Sequence, residues 1–195
     1  MIRVLASGPI TRIPPDVLSV AGVLALAAAW GAVAGPGWPA IVVPLVTVAG
    51  VLDGLDGAVA LRTGRARPLG ALVDSVADRV GDLLLGAILL AIGAPLAWVL
   101  PALTLVFLLE YVRSRAQAVG MPGVGAVTIA ERPTRLIVVA MAAGGAAVSP
   151  AGLPLLGWGW GVTFAITWTA VGVVGMGQLL HGVRRSIPRE FPPPR

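Results

Sequence analysis

Four aspartates lie at regular spacing inside two of the most apolar stretches of the chain: Asp53 and Asp56, then Asp74 and Asp78. A carboxylate at membrane depth costs roughly 2.5–3.5 kcal/mol on insertion scales, so it persists only where a cation meets it. The spacings i,i+3 and i,i+4 place each pair on one face of a helix. If the two faces turn toward each other, their oxygens form the ligand set that Mg²⁺ or a similar hard ion prefers.

The alternative role for these carboxylates is salt bridging between helices, with Arg79 or Arg113 as partner. The chain contains no lysine, and the four carboxylates outnumber the arginines at similar depth. A metal site is therefore the favoured interpretation. Gly54 and Gly57 interleave with the first aspartate pair, where the missing side chain allows either close helix packing or the approach of a bulky ligand.

The composition is typical of a polytopic membrane protein. The chain is 57% hydrophobic and 12% charged, with a mean hydropathy of +0.92, whereas soluble domains carry about 25% charged residues. It has no cysteine and one histidine, His181, which argues against disulfides and a zinc site. The net charge of +5 comes from arginine. In such a protein it indicates topology and contact with lipid headgroups, and no nucleic-acid partner is expected.

Six apolar runs are long enough to span a bilayer, which needs about 17–25 residues. They cover residues 16–34, 38–61, 69–93, 95–118, 133–148 and 155–181. The amino terminus is basic but is interrupted by Pro14-Pro15-Asp16, with no clear cleavage site, so we expect a retained span and not a signal peptide. Asp16 is expected to cap the first helix. Three tryptophans of the last run, Trp158, Trp160 and Trp168, are expected to be interfacial or lipid-facing.

The arginines predict the orientation of these spans. Nearly all of them flank one set of span ends, while the loops near residues 35–38, 93–95 and 149–155 carry no charge. By the positive-inside rule, residues 1–15 and the tail 182–195 are cytoplasmic. The four aspartates lie within about three turns of the same side. We predict an all-α integral membrane protein of the cell (inner) membrane. It is a single domain over residues 1–195, with six transmembrane helices around a cytoplasm-facing polar cavity.

The aspartate segment resembles the signature of the CDP-alcohol phosphotransferase family, D-x2-D-G-x2-A-R-x8-G-x3-D-x3-D. Seven positions match at the family spacing over 26 residues: Asp53, Asp56, Gly57, Ala60, Gly70, Asp74 and Asp78. One position departs, because the family arginine, which contacts the nucleotide-linked phosphates, is Leu61 here. Its neighbour Arg62 is turned by about 100° on a helix and is the candidate replacement.

The resemblance implies a reaction and a set of site residues. CDP-diacylglycerol would bind with its pyrophosphate across divalent ions, Mg²⁺ or Mn²⁺, with two ions expected. An acceptor hydroxyl would attack the lipid-side phosphorus and CMP would leave. The implied metal ligands are Asp53, Asp56, Asp74 and Asp78, with Asp78 also the base. The implied contacts of the CDP-lipid are Asp53, Asp56, Gly57, Gly70 and Arg62.

Two basic segments, EYVRSRAQAVG and TIAERPTR, indicate the acceptor. Arginine suits bidentate phosphate recognition, and the acceptor is therefore expected to carry a phosphate bound by Arg113, Arg132 and Arg135. The alternative is that these arginines anchor the protein at the membrane surface. Both segments, together with Asp82, resemble those of actinobacterial-type phosphatidylinositol phosphate synthases, which implies inositol phosphate as acceptor. Family members are commonly homodimers, and a homodimer is expected here.

Three other functions remain open from the sequence. The first is a synthase of phosphatidylglycerol phosphate or cardiolipin, with the same metal site and a different acceptor. The second is a weakened or inactive paralogue, suggested by Leu61. The third is a cation channel or transporter, since intramembrane carboxylates often mark ion paths. The nearly uniform Ala, Val, Leu and Gly of the far halves of the spans argues against an ion path.

Overall fold

The fold is a bundle of six helices in a computed structural model that describes residue 11 and residues 13–122, 127–154 and 157–186. The helices are α1 (Pro15–Ala34), α2 (Pro39–Thr63), α3 (Pro68–Ala91), α4 (Leu96–Ala118), α5 (Arg132–Val148) and α6 (Trp160–Ser186). The predicted cytoplasmic segment 1–15 and tail 182–195 lie mostly outside the described residues.

Proline and glycine set most helix boundaries, as the sequence predicts. Pro15, Pro39 and Pro68 each open a helix, where their missing N–H has no helical partner to lose. Gly64 ends α2 in a left-handed conformation at φ 65°, which glycine adopts without steric cost. The last helix begins at Trp160 and not at residue 155. Its first residue is tied to the preceding loop because the Trp160 indole N–H donates to the Ser149 carbonyl at 2.8 Å.

The helices pack closely through small residues. α1 packs on α2 and α3, α4 packs on α6, and α5 packs on α2 and α6. A Cβ added at Gly86 of α3 would lie 2.8 Å from the Leu103 side chain of α4. The absence of a side chain there sets the spacing of these two helices, in the manner of small-residue packing in membranes.

A buried apolar cluster joins all six helices and includes Leu26, Val42, Leu89, Val99, Val139 and Trp168. The sequence expectation for Trp168 was wrong, since this side chain is 1% exposed and belongs to the core. Its position on α6 faces the bundle, and side-chain volume there fills the space between helices. Trp158, by contrast, is exposed.

Four of the six helices, α1, α2, α4 and α6, are long and apolar enough to cross a membrane. Large apolar side chains such as Leu24, Leu100 and Val173 are exposed on their outer faces, as expected of a multi-pass membrane protein. The other two helices, α3 and α5, do not combine the required length and apolarity. α3 carries Asp74, Asp78, Arg79 and Asp82 in its first part, and α5 has 17 residues.

Candidate functional site

Three of the four predicted metal ligands meet between α2 and α3. Carboxylate oxygens of Asp53, Asp56 and Asp74 all lie within 4.8 Å of one another. Asp53 and Asp56 are one turn apart on α2, near its carboxyl end, and Asp74 lies in the second turn of α3. The short connection between the two helices brings these turns to the same end of the bundle. We call these three residues the carboxylate triad.

Asp56 is the most enclosed member of the triad and is oriented by two donors. The Ser19 hydroxyl donates to Asp56 Oδ2 at 2.6 Å, and the Gly57 backbone N–H donates to Oδ1 at 2.6 Å. Ser19 lies on α1, one turn after Pro15. Ser19 is not among the site residues that the sequence predicts. Only the run from Pro15 to Ser19, which begins the first helix, could have signalled it.

Asp74 differs from Asp56 in its partners. Within the part of the chain that the structure describes, no salt bridge or hydrogen bond to its carboxylate is found. A partly buried carboxylate beside two others is costly unless a cation joins them. The donor set of clustered carboxylate oxygens fits a hard divalent ion such as Mg²⁺ or Mn²⁺.

The fourth predicted ligand, Asp78, lies outside the triad and is engaged by arginine. Arg132, the first residue of α5, bonds to Asp78 through Nη1, and its Nε lies 3.1 Å from Asp53 Oδ1. Arg79 approaches Asp78 at 3.8 Å. A Cβ at Gly81 would lie 3.0 Å from Arg132 Nη2, so this glycine leaves room for the guanidinium against α3. Arg132 therefore ties α5 to both carboxylate-bearing helices.

A cavity of about 230 Å³ opens beside the triad. The predicted contacts Gly57 and Gly70 line it. Leu61 also lines it and is 78% exposed, while Arg62 is not among its lining residues. Its full lining is Pro15, Asp16, Ser19, Asp56, Gly57, Ala60, Leu61, Arg65, Ala66, Arg67, Gly70, Ala71 and Asp74. Asp16 does not cap α1, since Pro14 holds that position; its carboxylate lies 2.5 Å from Arg67 Nη2.

The predicted acceptor arginines are held by carboxylates. Arg113 bonds to Glu131 at 2.7 Å and to Glu110 at 3.3 Å. Arg135, whose side chain is 3% exposed, bonds to the fully buried Asp82 at 2.6 Å. Arg113 and Asp78 line one further cavity of about 380 Å³; neither Arg132 nor Arg135 is in its lining.

Glu131 is a charged partner for Arg113 outside the helices. Burial raises the pKa of Glu131, but the Thr128 backbone N–H and the nearby Arg113 guanidinium outweigh it and hold the pKa below its ordinary value. The Thr128 N–H donates to Glu131 Oε1 at 3.0 Å. The carboxylate therefore stays ionised at neutral pH and fixes Arg113 at the end of α4.

These features define a helical membrane protein with a carboxylate-lined cavity at one end of the bundle. A family model described as CDP-alcohol phosphatidyltransferase matches residues 12–178. The chain belongs to this family.

Two curated relatives are similar over part of their length. The chain is 34% identical over 160 residues to the phosphatidylinositol phosphate synthase of Mycolicibacterium smegmatis, covering 76% of this chain and 66% of that protein. It is 37% identical over 102 residues to the archaetidylinositol phosphate synthase of Pyrococcus horikoshii, covering 50% of this chain and 52% of the other. The chain thus spans between about half and two thirds of these relatives.

Two solved structures share the fold. One is the phosphatidylinositol phosphate synthase of Mycobacterium tuberculosis with CDP-DAG bound, at a TM-score of 0.68 and 25% identity over 94% of this chain and 98% of that one. The other is the same enzyme in complex with manganese and citrate, at a TM-score of 0.68 and 26% identity, over 96% of this chain and 94% of that one.

Proposed function

We propose that this chain transfers the phosphatidyl group of CDP-diacylglycerol to a hydroxyl of a phosphorylated polyol, with inositol phosphate as the acceptor, and releases CMP. The single observation that carries this proposal is the carboxylate triad, two members of which, Asp56 and Asp74, line a cavity that arginines also line. Family membership and the names of the two synthases support the same reaction.

Asp53, Asp56 and Asp74 are the proposed ligands of Mg²⁺ or Mn²⁺, and Asp78 is the proposed fourth, with two ions in all. When bound, the metal supplies neutralisation of the diphosphate and alignment of the in-line displacement. Ser19 and the Gly57 N–H orient Asp56 through their hydrogen bonds. Asp78 is the proposed base for the acceptor hydroxyl, and its place in the lining of a second cavity supports this role.

The acceptor phosphate is assigned to the arginines at the start of α5 and the end of α4. Arg113 shares a cavity with Asp78, and Arg132 contacts Asp78 directly, so both lie near the proposed base. Arg135 is predicted from the sequence to bind the same phosphate. Its burial between Asp82 and Glu110 supports a role through them, holding the charges around the acceptor in place.

We further propose six membrane spans, with both termini and the site on the cytoplasmic side of the cell (inner) membrane and the whole chain as one domain that forms a homodimer. The uncharged loops at 35–38, 93–95 and 149–154 support this orientation. The charged part of α3 is directed to the cavities and to Arg132 and Arg135. Its polar residues therefore need not face lipid.

The test is CMP release by the purified protein in neutral lipid nanodiscs. CDP-diacylglycerol and Mg²⁺ are supplied with inositol phosphate, glycerol 3-phosphate or phosphatidylglycerol in separate reactions. We expect CMP release with inositol phosphate that stops when the metal is chelated and returns when Mn²⁺ is added. If CMP is released only with glycerol 3-phosphate or only with phosphatidylglycerol, that compound is the acceptor and inositol phosphate is not. If no acceptor gives metal-dependent CMP release, the proposed function is wrong.

A further inference from the structure

We propose that Arg65 and Arg67, in the connection between α2 and α3, bind the diphosphate of the nucleotide-linked lipid in the cavity beside the carboxylate triad. This inference rests on the proposed function and names the cationic side of its site. Both arginines line the cavity, together with Asp56 and Asp74 of the triad. Neither belongs to the matched signature positions.

Leu61 explains why the cavity needs a cation from elsewhere. It lines the cavity and is 78% exposed, but its side chain offers no hydrogen-bond donor. Arg62 follows it on α2, turned by about 100°, and does not belong to the lining. A diphosphate in this cavity would therefore meet Asp56 and Asp74 of the triad and the two arginines that follow α2.

Arg65 is placed by the left-handed turn at Gly64. The Arg65 backbone N–H donates to the Ala60 carbonyl at 3.0 Å, which fixes its main chain against the last turn of α2. Among the described residues, the guanidinium donates one long hydrogen bond, from Nη1 to the Thr11 carbonyl at 3.4 Å. Such a bond is weak, and a phosphate oxygen is a far better acceptor for a guanidinium.

Arg67 stands at the start of α3 and is held across the cavity wall by Asp16. Its Nη2 lies 2.5 Å from Asp16 Oδ2, and both residues line the cavity. A Cβ at Gly70 would lie 3.4 Å from Arg67 Cγ and 3.4 Å from Asp16 Oδ1, so glycine leaves the space for this pair. The Arg67 side chain is 59% exposed, and an exposed pair of this kind is weak enough for a phosphate to compete for the guanidinium.

The charges around the cavity fit an anion with two phosphates. The triad is the proposed metal site, and the two arginines of the cavity lining add positive charge and planar guanidiniums that match phosphate oxygens. The N-terminus of α3, a 24-residue helix, borders the same space through Gly70 and Ala71 and adds favourable potential for an anion.

The test compares the binding of CDP and CMP in neutral phosphatidylcholine nanodiscs containing Mn²⁺, by calorimetry. Arg65→Ala and Arg67→Ala are each expected to raise the Kd for CDP about tenfold, as for the loss of a charged hydrogen bond. The Kd for CMP should rise less, because it has one phosphate. The KM for CDP-diacylglycerol should follow the Kd for CDP, and the acceptor KM should stay the same. Arg184→Ala, an exposed arginine in the last turn of α6, is the matched control and should bind normally.

Two additional variants separate phosphate contact from a change in fold. Leu61→Arg in the Arg65→Ala, Arg67→Ala background should restore CDP binding, because it returns a cation to the cavity. Asp16→Asn frees Arg67 and should lower the Kd for CDP, and this gain should vanish when Arg67 is also replaced. A purely structural role for Arg67 would produce neither result.

The inference is wrong if both arginine variants bind CDP as tightly as a wild-type protein that is active. The proposed function would still stand in that case. If Arg62→Ala is the only variant that loses CDP binding, Arg62 is the phosphate contact and the inference is also wrong. If the arginine variants differ from wild type only in vesicles that contain anionic lipid, both arginines contact lipid headgroups and the inference is wrong. If the wild-type protein neither binds CDP nor releases CMP, it is the proposed function that fails.

Discussion

Asp74 and Asp82 lie two turns apart on α3 but have opposite surroundings. Asp82 is fully buried and is bonded to Arg135 at 2.6 Å, with Arg79 at 3.3 Å. Asp74 borders an open cavity, and its nearest charged neighbours in the triad are other carboxylates. The first arrangement is a carboxylate paired with two arginines inside the bundle. The second has an excess of negative charge facing a space that a ligand can enter, which is the distinction between a structural and a functional carboxylate.

The largest effect on activity is expected from Asp74→Asn. It removes one metal ligand from the triad, and metal stabilisation of a transferring phosphoryl group amounts to several kcal/mol, or about 100-fold or more in rate. We expect CMP release to fall by at least that factor and Mn²⁺ binding to weaken. Thermal stability should stay level or rise, because the change relieves repulsion between like charges. Near-normal CMP release would remove Asp74 from the ligand set.

The next prediction concerns the structural side of the comparison. Asp82→Ala leaves Arg135 and Arg79 without their buried partner, which costs about 3–5 kcal/mol when one member of such a pair is lost. We expect a marked loss of thermal stability in detergent, measured by unfolding of the purified protein. The double variant Asp82→Leu, Arg135→Leu is the control and should recover much of that loss. If Asp82→Ala melts like wild type, the pair contributes little to the fold.

Arg132→Ala tests the residue that joins the two regions. It is expected to raise the acceptor KM about tenfold, as for a lost charged hydrogen bond. It should also strengthen Mn²⁺ binding, because Arg132 neutralises Asp53 and Asp78. Steady-state kinetics with each substrate varied in turn, and Mn²⁺ titration, measure these effects. Arg115→Ala, exposed at the end of α4, is the control. A change confined to the KM for CDP-lipid would contradict the acceptor role.

The smallest effect is expected from Gly57→Ala. An added Cβ would meet nothing within 4 Å, and Gly57 lines the first cavity. Alanine is favoured over glycine in a helix by about 1 kcal/mol, so thermal stability should rise while the KM for CDP-lipid increases a few-fold. Gly177→Ala, with equally open space on α6, should stabilise without changing that KM. An unchanged KM in both variants would place the lipid diphosphate away from Gly57.

Most helix boundaries of this protein could be predicted from local sequence patterns. The five helices α1 to α5 begin and end within about two residues of the apolar runs, because proline, glycine and charged residues interrupt the hydrophobic sequence at fixed points. The pairing of Asp53 and Asp56 on one face follows from helical periodicity, and Glu110 and Arg113 form the i,i+3 pair expected of a helix. The start of α6 was misplaced because the loop before it is as apolar as a span.

The amino-acid sequence alone determined the class of protein, the helices and the family to which its aspartates belong, because composition, periodicity and spacing are properties of neighbouring residues. Only the tertiary structure decided which charges meet. It placed Asp78 against Arg132, Ser19 against Asp56 and Asp16 against Arg67. These partners are separated by 37 to 54 residues in the chain, and helix packing, which no local pattern encodes, brings them together.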